Sequence, residues 1–153
     1  GGALDERLWR EHSAELLRFG TLLVGPTDAH DVVSAAFLRS VPRLRDDRIR
    51  NQRAYLFRSV TNEALDHRRR RANRWKRDLR AVMSSTASAP NDSHVDVRRA
   101  VADLSVRQRS VVYLAYWEDM PERAIADVLG ISSGSVRRHL VRARAHLRKA
   151  LHD

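Results

Sequence analysis

Cysteine is absent from the 153 residues, which excludes disulfides and thiolate metal sites and leaves nothing that argues for an oxidising compartment. No apolar run approaches the ~20 residues that a membrane span requires. The N-terminus carries no signal-peptide pattern, so a cytoplasmic chain with no membrane insertion of its own is expected. Sustained alternation of apolar and polar residues is missing too, and the β-branched residues are scattered through helical patterns, which predicts an all-α protein. The seven histidines include no HxxxH or HExxH spacing, and no serine, histidine and carboxylate stand out as a group. No catalytic residue, metal site or cofactor is therefore expected, and the chain does not read as an enzyme.

Lysine is the last scarcity, and it is informative. Of 29 cationic residues against 19 acidic ones, only Lys76 and Lys149 are lysines, and the net charge is +10. Arginine grips phosphate bidentately and stacks on bases, so an arginine excess points to nucleic acid, with a solvated surface as the bland alternative. Hydrophobic residues make up 42% of the chain, enough for one core or two small ones.

Periodicity supplies the organisation. Leu8, Trp9, Leu16, Phe19 and Leu23 mark a first helix, irregular near its start and stopped by Gly25-Pro26. Thr27 is a candidate N-cap for a second, with Asp28 and Asp31 in its first turn, the apolar row Val33, Phe37 and Val41, and an end around Pro42. A polar loop from Leu44 precedes a third helix that begins at Asn51, passes through Leu56, Val60, Ala64 and Leu65, and runs into Arg68-Arg69-Arg70-Arg71. That run suits a nucleic acid or a solvated charged face equally. Met83 to His94, rich in Ser, Ala, Pro and Asn, reads as a flexible linker between two small helical domains, residues 3–82 and 95–153.

The second domain has the clearer local signals. A short helix from Val95 to Leu104 leads to Ser105-Val106-Arg107-Gln108, a capping box that opens a helix to about Trp117. Pro121 suits the first turn of the next helix, Glu122 to Leu129, and Gly130 supplies a left-handed stop. Ser132 or Ser133 then caps a final basic helix. Helix, glycine turn and basic helix form a helix-turn-helix, whose second helix enters the major groove. On that helix Val136, Leu140, Ala143, Leu147 and Ala150 form one apolar stripe, so Arg137, Arg138, Val141 and Arg142 face away from it and are the candidate base readers. Ser132, Ser133 and Ser135 lie where helix-terminal amides and hydroxyls can hold a phosphate.

Ala102 to Leu151, ADLSVRQRSVVYLAYWEDMPERAIADVLGISSGSVRRHLVRARAHLRKAL, resembles the promoter-binding domain with which sigma factors read the minus-35 element. Asp28 to Val41, DAHDVVSAAFLRSV, resembles the helix that docks on the clamp coiled coil of RNA polymerase, and Tyr55 to Arg71 resembles the helix that opens the minus-10 element. Together they resemble the compact extracytoplasmic-function (ECF) group of the sigma-70 superfamily.

The resemblance implies a bacterial transcription initiation factor that binds core RNA polymerase at clamp and flap, recognises minus-35 and minus-10 promoter DNA, and promotes opening under the control of an anti-sigma factor. It implies minus-10 contacts by Arg48, Asn51, Tyr55, Arg58, Asn62, Asp66, Arg68 and Arg69, with core packing an equal alternative for Tyr55. It implies polymerase contacts by Asp28, Asp31, Ser34, Ala35 and Leu38. Ser34-Ala35 departs from the polar pair usual in the family, Ala124 stands where glutamate is frequent, and Pro42 occupies a position that is normally helical. The weakened Ser34-Ala35 site leaves a second reading: a two-domain helix-turn-helix regulator that does not use core polymerase. A helical adaptor whose basic faces bind acidic protein is the third.

Overall fold

A computed structural model of the chain describes residues 2–46, 48–70 and 92–152, and side chains from residue 97 onward in the last segment. The described residues are helices and short connections, with no strand among them. They form two compact units.

In the first unit α1 spans Gly2–Val24, α2 Ala29–Leu44 and α3 Gln52–Arg70, and each helix packs on the other two. Leu16, Phe19 and Leu23 recur on one face of α1, Val33, Ala36 and Phe37 on α2, and Leu56, Phe57, Val60 and Ala64 on α3; all are buried. Phe19 and Phe57 meet edge to face at 5.0 Å, as do Trp9 and Phe37, the arrangement that ring quadrupoles favour. Gly20 permits α1 and α2 to approach, because a Cβ there would lie 2.7 Å from Cγ2 of Val33. Glu15 of α1 is joined to α3 by two hydrogen bonds from Nε of Arg53, at 2.9 and 3.1 Å, and pairs with Nδ1 of His12 at 3.0 Å.

Three boundaries differ from the sequence expectation. The first helix is continuous from Gly2, because Leu8 is fully buried and anchors the first turns. Thr27 is not the cap of α2: Gly25, at φ 87°, ends α1, and Asp28 is the residue before α2, with no side-chain capping bond. Pro42 does not end α2, which runs on to Leu44. In the final turn a proline removes only one amide donor, while burial of Val41 and Leu44 holds that turn on the core.

In the second unit α4 spans Asp92–Ala102, α5 Val106–Val112, α6 Glu122–Leu129 and α7 Ser133–His152. Asp92 to His94, read as linker, are the first turn of α4; the rest of that stretch, with Arg71 and the first domain's end at residue 82, lies outside the described residues. The capping box is present in full: the Gln108 amide donates to Oγ of Ser105 at 3.1 Å, and Oε1 of Gln108 accepts from the Ser105 amide at 3.0 Å. The helix it opens is not α-helical to Trp117. Tyr113–Trp117 is a π-helical turn, and the Glu118 amide reaches the carbonyl of Tyr113 at 3.2 Å. Asp119, at φ 54°, then turns the chain. α7 packs on α4 and α5 through Val136, Leu140 and Ala143, all buried. Leu147 and Ala150, farther along the stripe, are half-buried.

Candidate nucleic-acid interface

The turn between α6 and α7 follows from a few local bonds. Gly130 adopts φ 68°, and the Ile131 amide reaches back to the carbonyl of Ala126 at 3.1 Å, which satisfies one of α6's last acceptors. Oγ of Ser132 accepts from the Ser135 amide at 3.1 Å, so Ser132 rather than Ser133 is the cap of α7. Both serines are exposed, and Ser135 is half-buried.

Arg137, Arg138, Val141 and Arg142 are all exposed, and at ~100° per residue they span an arc of about 140° opposite the buried stripe. Arg137 also donates through Nε to Oε2 of Glu122 at 3.1 Å, tying α7 to the first turn of α6. His139 sits half-buried among these cations. Burial pushes its imidazole below the ordinary 6.5, and Arg107, Arg142 and Arg138 push the same way, so the face carries arginine charge alone near neutrality.

On the first unit, Tyr55, Arg58 and Asn62 occur one helical turn apart along α3 and line one cleft of about 390 Å³, with Arg39, Ser40 and Arg43 of α2 and Ser59 of α3. Tyr55 is half-buried, and Arg58 and Asn62 are exposed. The other expected strand contacts lie outside this cleft. Asn51 is engaged as the cap of α3, its Oδ1 accepting from the Ala54 amide at 2.9 Å. Arg48 is on the loop, with Nε 3.5 Å from Oδ1 of Asp46. Asp66, Arg68 and Arg69 are exposed on the last turns of α3. Sequence reading missed Arg39 and Arg43; their local signal is that each follows a residue of the packed face by three, Arg39 after Ala36 and Arg43 after Ser40, and that they are four apart.

The expected polymerase residues do not all share one exposed surface. Asp31, Ala35 and Leu38 are exposed at i, i+4 and i+7 of α2, with Leu38 71% exposed. Ser34 is half-buried beside them, its Oγ 3.4 Å from Nδ1 of His30. Asp28 is buried instead, at 4% exposure, with Oδ2 3.5 Å from Nε2 of His67. Its carboxylate serves the packing of α2 against α3.

Family models match both units: sigma-70 region 2 over residues 8–74 and sigma-70 region 4 over residues 94–147. The chain belongs to the sigma-70 family of sigma factors. Its relatives place it in the ECF group. It is 32% identical to the ECF RNA polymerase sigma factor SigL of Mycobacterium tuberculosis, over 99% of this chain and 90% of that protein. It is 33% identical to the RNA polymerase sigma-E factor of Streptomyces coelicolor, over 95% and 85%. Among solved structures, this sigma factor is similar to CnrH, which was solved in complex with the cytosolic domain of CnrY, with a TM-score of 0.68 and 26% identity over 99% of this chain and 89% of that one. It shares its fold with the sigma factor RpoE of Bartonella quintana, solved with the anti-sigma factor NepR, at a TM-score of 0.70 and 20% identity over 95% of each chain. As an ECF sigma factor it is a transcription initiation factor, not an enzyme. No described helix is long and apolar enough to cross a membrane.

Proposed function

We propose that this sigma factor acts in the cytoplasm, docks on core RNA polymerase through the exposed α2 row Asp31, Ala35 and Leu38, and engages promoter DNA with one face of each unit. Ser34 lies at the edge of the docking row, and Asp28 supports it from within. The minus-35 element is read by Arg138, Val141 and Arg142, with Arg137 oriented by Glu122 and with Ser132, Ser133 and Ser135 toward phosphate. The minus-10 strand meets Tyr55, Arg58 and Asn62, flanked by Arg48, Asn51 and Asp66, while Arg68 and Arg69 meet duplex phosphate.

Leu38 carries this reading: it is 71% exposed in line with Asp31 and Ala35 on one face of α2, the helix whose sequence resembles the clamp-docking one, so the row is open to a partner. An anti-sigma protein that covers either face would silence the factor, and the similarity to CnrH, solved with CnrY, supports such a partner. The burial of Asp28 withdraws one expected contact, so the exposed row carries the docking. Binding to purified core polymerase tests that assignment. We expect tight association that Leu38→Asp weakens at least tenfold while the melting temperature is kept; association unchanged in the folded Leu38→Asp variant would overturn the α2 row as the docking surface.

A further inference from the structure

Between the buried stripe of α7 and its exposed base-facing row runs an edge with a pattern of its own. At ~100° per residue, Ser135, His139, Arg142 and His146 recur there at i, i+4, i+7 and i+11. Arg142 is exposed and belongs to both rows, while Ser135, His139 and His146 are half-buried. Nδ1 of His139 is buried and meets no hydrogen-bond partner among the described residues. A histidine placed to hold the fold together would have one, so this ring is left without a structural role.

The charges that act on His139 are of one sign. Arg107, in the first turn of α5, acts on it from the packed helix, and Arg142 and Arg138 act on it from α7 itself. The nearby acidic groups are committed elsewhere: Asp103, just beyond α4, lies 4.0 Å from Nε2 of His146, and Glu122 of α6 accepts from Arg137. Arg98 and Arg99 of α4, and Arg123 and Asp127 of α6, are exposed. Burial first, and then the three arginines, push the imidazole below its ordinary 6.5, so the ring is neutral near pH 7 in the free chain.

DNA reverses the second of those causes. A duplex carries about one negative charge per 1.7 Å of axis, and Arg138 and Arg142 stand in the row that meets it. Phosphates that pair with these arginines cancel the repulsion that keeps the ring uncharged, and a phosphate beside the ring favours the imidazolium directly. The burial of Nδ1 is common to the free and bound states, so the change on binding comes from charge.

We infer that His139 is a proton-linked phosphate contact: neutral in the free chain, it takes up a proton from solvent when α7 meets the DNA backbone, so that minus-35 binding tightens as pH falls. The inference rests on the proposed base-reading face of α7. Its sign follows from linkage. The complex holds more protons than the free chain, so affinity is flat well above neutrality and rises as pH falls into the window between the bound and free titrations of the ring. The arginines, charged throughout, set the affinity at high pH, and the histidine adds a component that acid turns on.

The test measures binding of the full chain to a mixed-sequence duplex of about two helical turns, because phosphates rather than bases drive the uptake. Fluorescence anisotropy at constant low salt covers the range from about pH 8 to about pH 6, and NMR follows the imidazole C–H resonances of the free and bound chain. Affinity should rise about tenfold toward the acid end, one proton giving at most tenfold per pH unit. His139→Gln should lack most of that gain. The His139 ring should titrate at higher pH on the duplex than in the free chain, a measurement on the unaltered protein that no damage by substitution can imitate. Arg107→Gln should move the free titration up toward the bound one.

An acid gain equal in wild type and His139→Gln, or a ring that titrates at the same pH with and without the duplex, would overturn the proton link. Duplex binding that depends on Arg138 and Arg142 while His139 stays silent removes this inference and leaves the α7 face standing. Binding indifferent to Arg138→Ala with Arg142→Ala would sink the face itself, and the proton link with it.

Discussion

The arginines of this chain do different work at different positions, and composition alone could not sort them. Arg109 is 5% exposed and donates to the carbonyl of Leu104, with Ala102 at 3.5 Å, closing off the end of α4. Arg53 spends its charge on Glu15 and lies over the Phe57 ring at 4.9 Å. Neither is available to DNA. Arg109→Met should cost about 1–3 kcal/mol in urea denaturation, since it strips buried carbonyls of their donor, while a substitution of exposed Arg138 should leave stability within about 0.5 kcal/mol. Glu15 makes a prediction in pH. Burial pushes its carboxyl up, but the hydrogen bonds from Arg53 and His12 outweigh that and hold it below the ordinary 4.5. A depressed carboxyl stabilises the fold above its unfolded pKa, and the contribution is lost as pH falls through the folded value. Glu15→Gln should therefore be less stable than wild type by about 1 kcal/mol at pH 7, with the gap closing below about pH 4.

The helix boundaries that were legible in the sequence are those set by bonds within a few residues. The Ser105–Gln108 box, the Gly130 turn and the serine cap of α7 are local chemistry, and each occurs where the residue types placed it. Ser105→Ala should cost about 1 kcal/mol and fray α5, measurable by hydrogen exchange at Val106 to Arg109. Boundaries set by tertiary packing were not legible. Pro42 inside α2, the π-helical turn at Tyr113–Trp117 and the burial of Asp28 against His67 all depend on what another helix supplies. Gly20 belongs to the same class. Alanine would gain up to ~1 kcal/mol of helix propensity there, yet its Cβ would meet the stiff β-branched Val33 at 2.7 Å. Gly20→Ala should thus be net destabilising, by about 1–2 kcal/mol, with a lowered melting temperature as the readout.

At the scale of the whole molecule, two helical units each pair a buried stripe with an exposed arginine face, and the buried stripe decides which arginines are left for a partner. The base-reading row of α7 was legible because Val136, Leu140 and Ala143 fix its opposite side by period alone. The cleft of the first unit was half legible: Tyr55, Arg58 and Asn62 are on one helix, but Arg39 and Arg43 join them only when α2 folds beside α3. Arg138→Ala with Arg142→Ala should reduce minus-35 binding by about 2–6 kcal/mol if each arginine reads a guanine, and shallow the salt dependence only if phosphate is touched as well. The most direct measurement is transcription of fragmented genomic DNA by purified core polymerase, with and without this sigma factor, with the RNA 5′ ends mapped. New start sites should appear that share two upstream elements, near minus-10 and minus-35, and the double arginine variant should lose them. Folded protein that yields no new start site on any fragment would contradict its role as the factor that directs initiation.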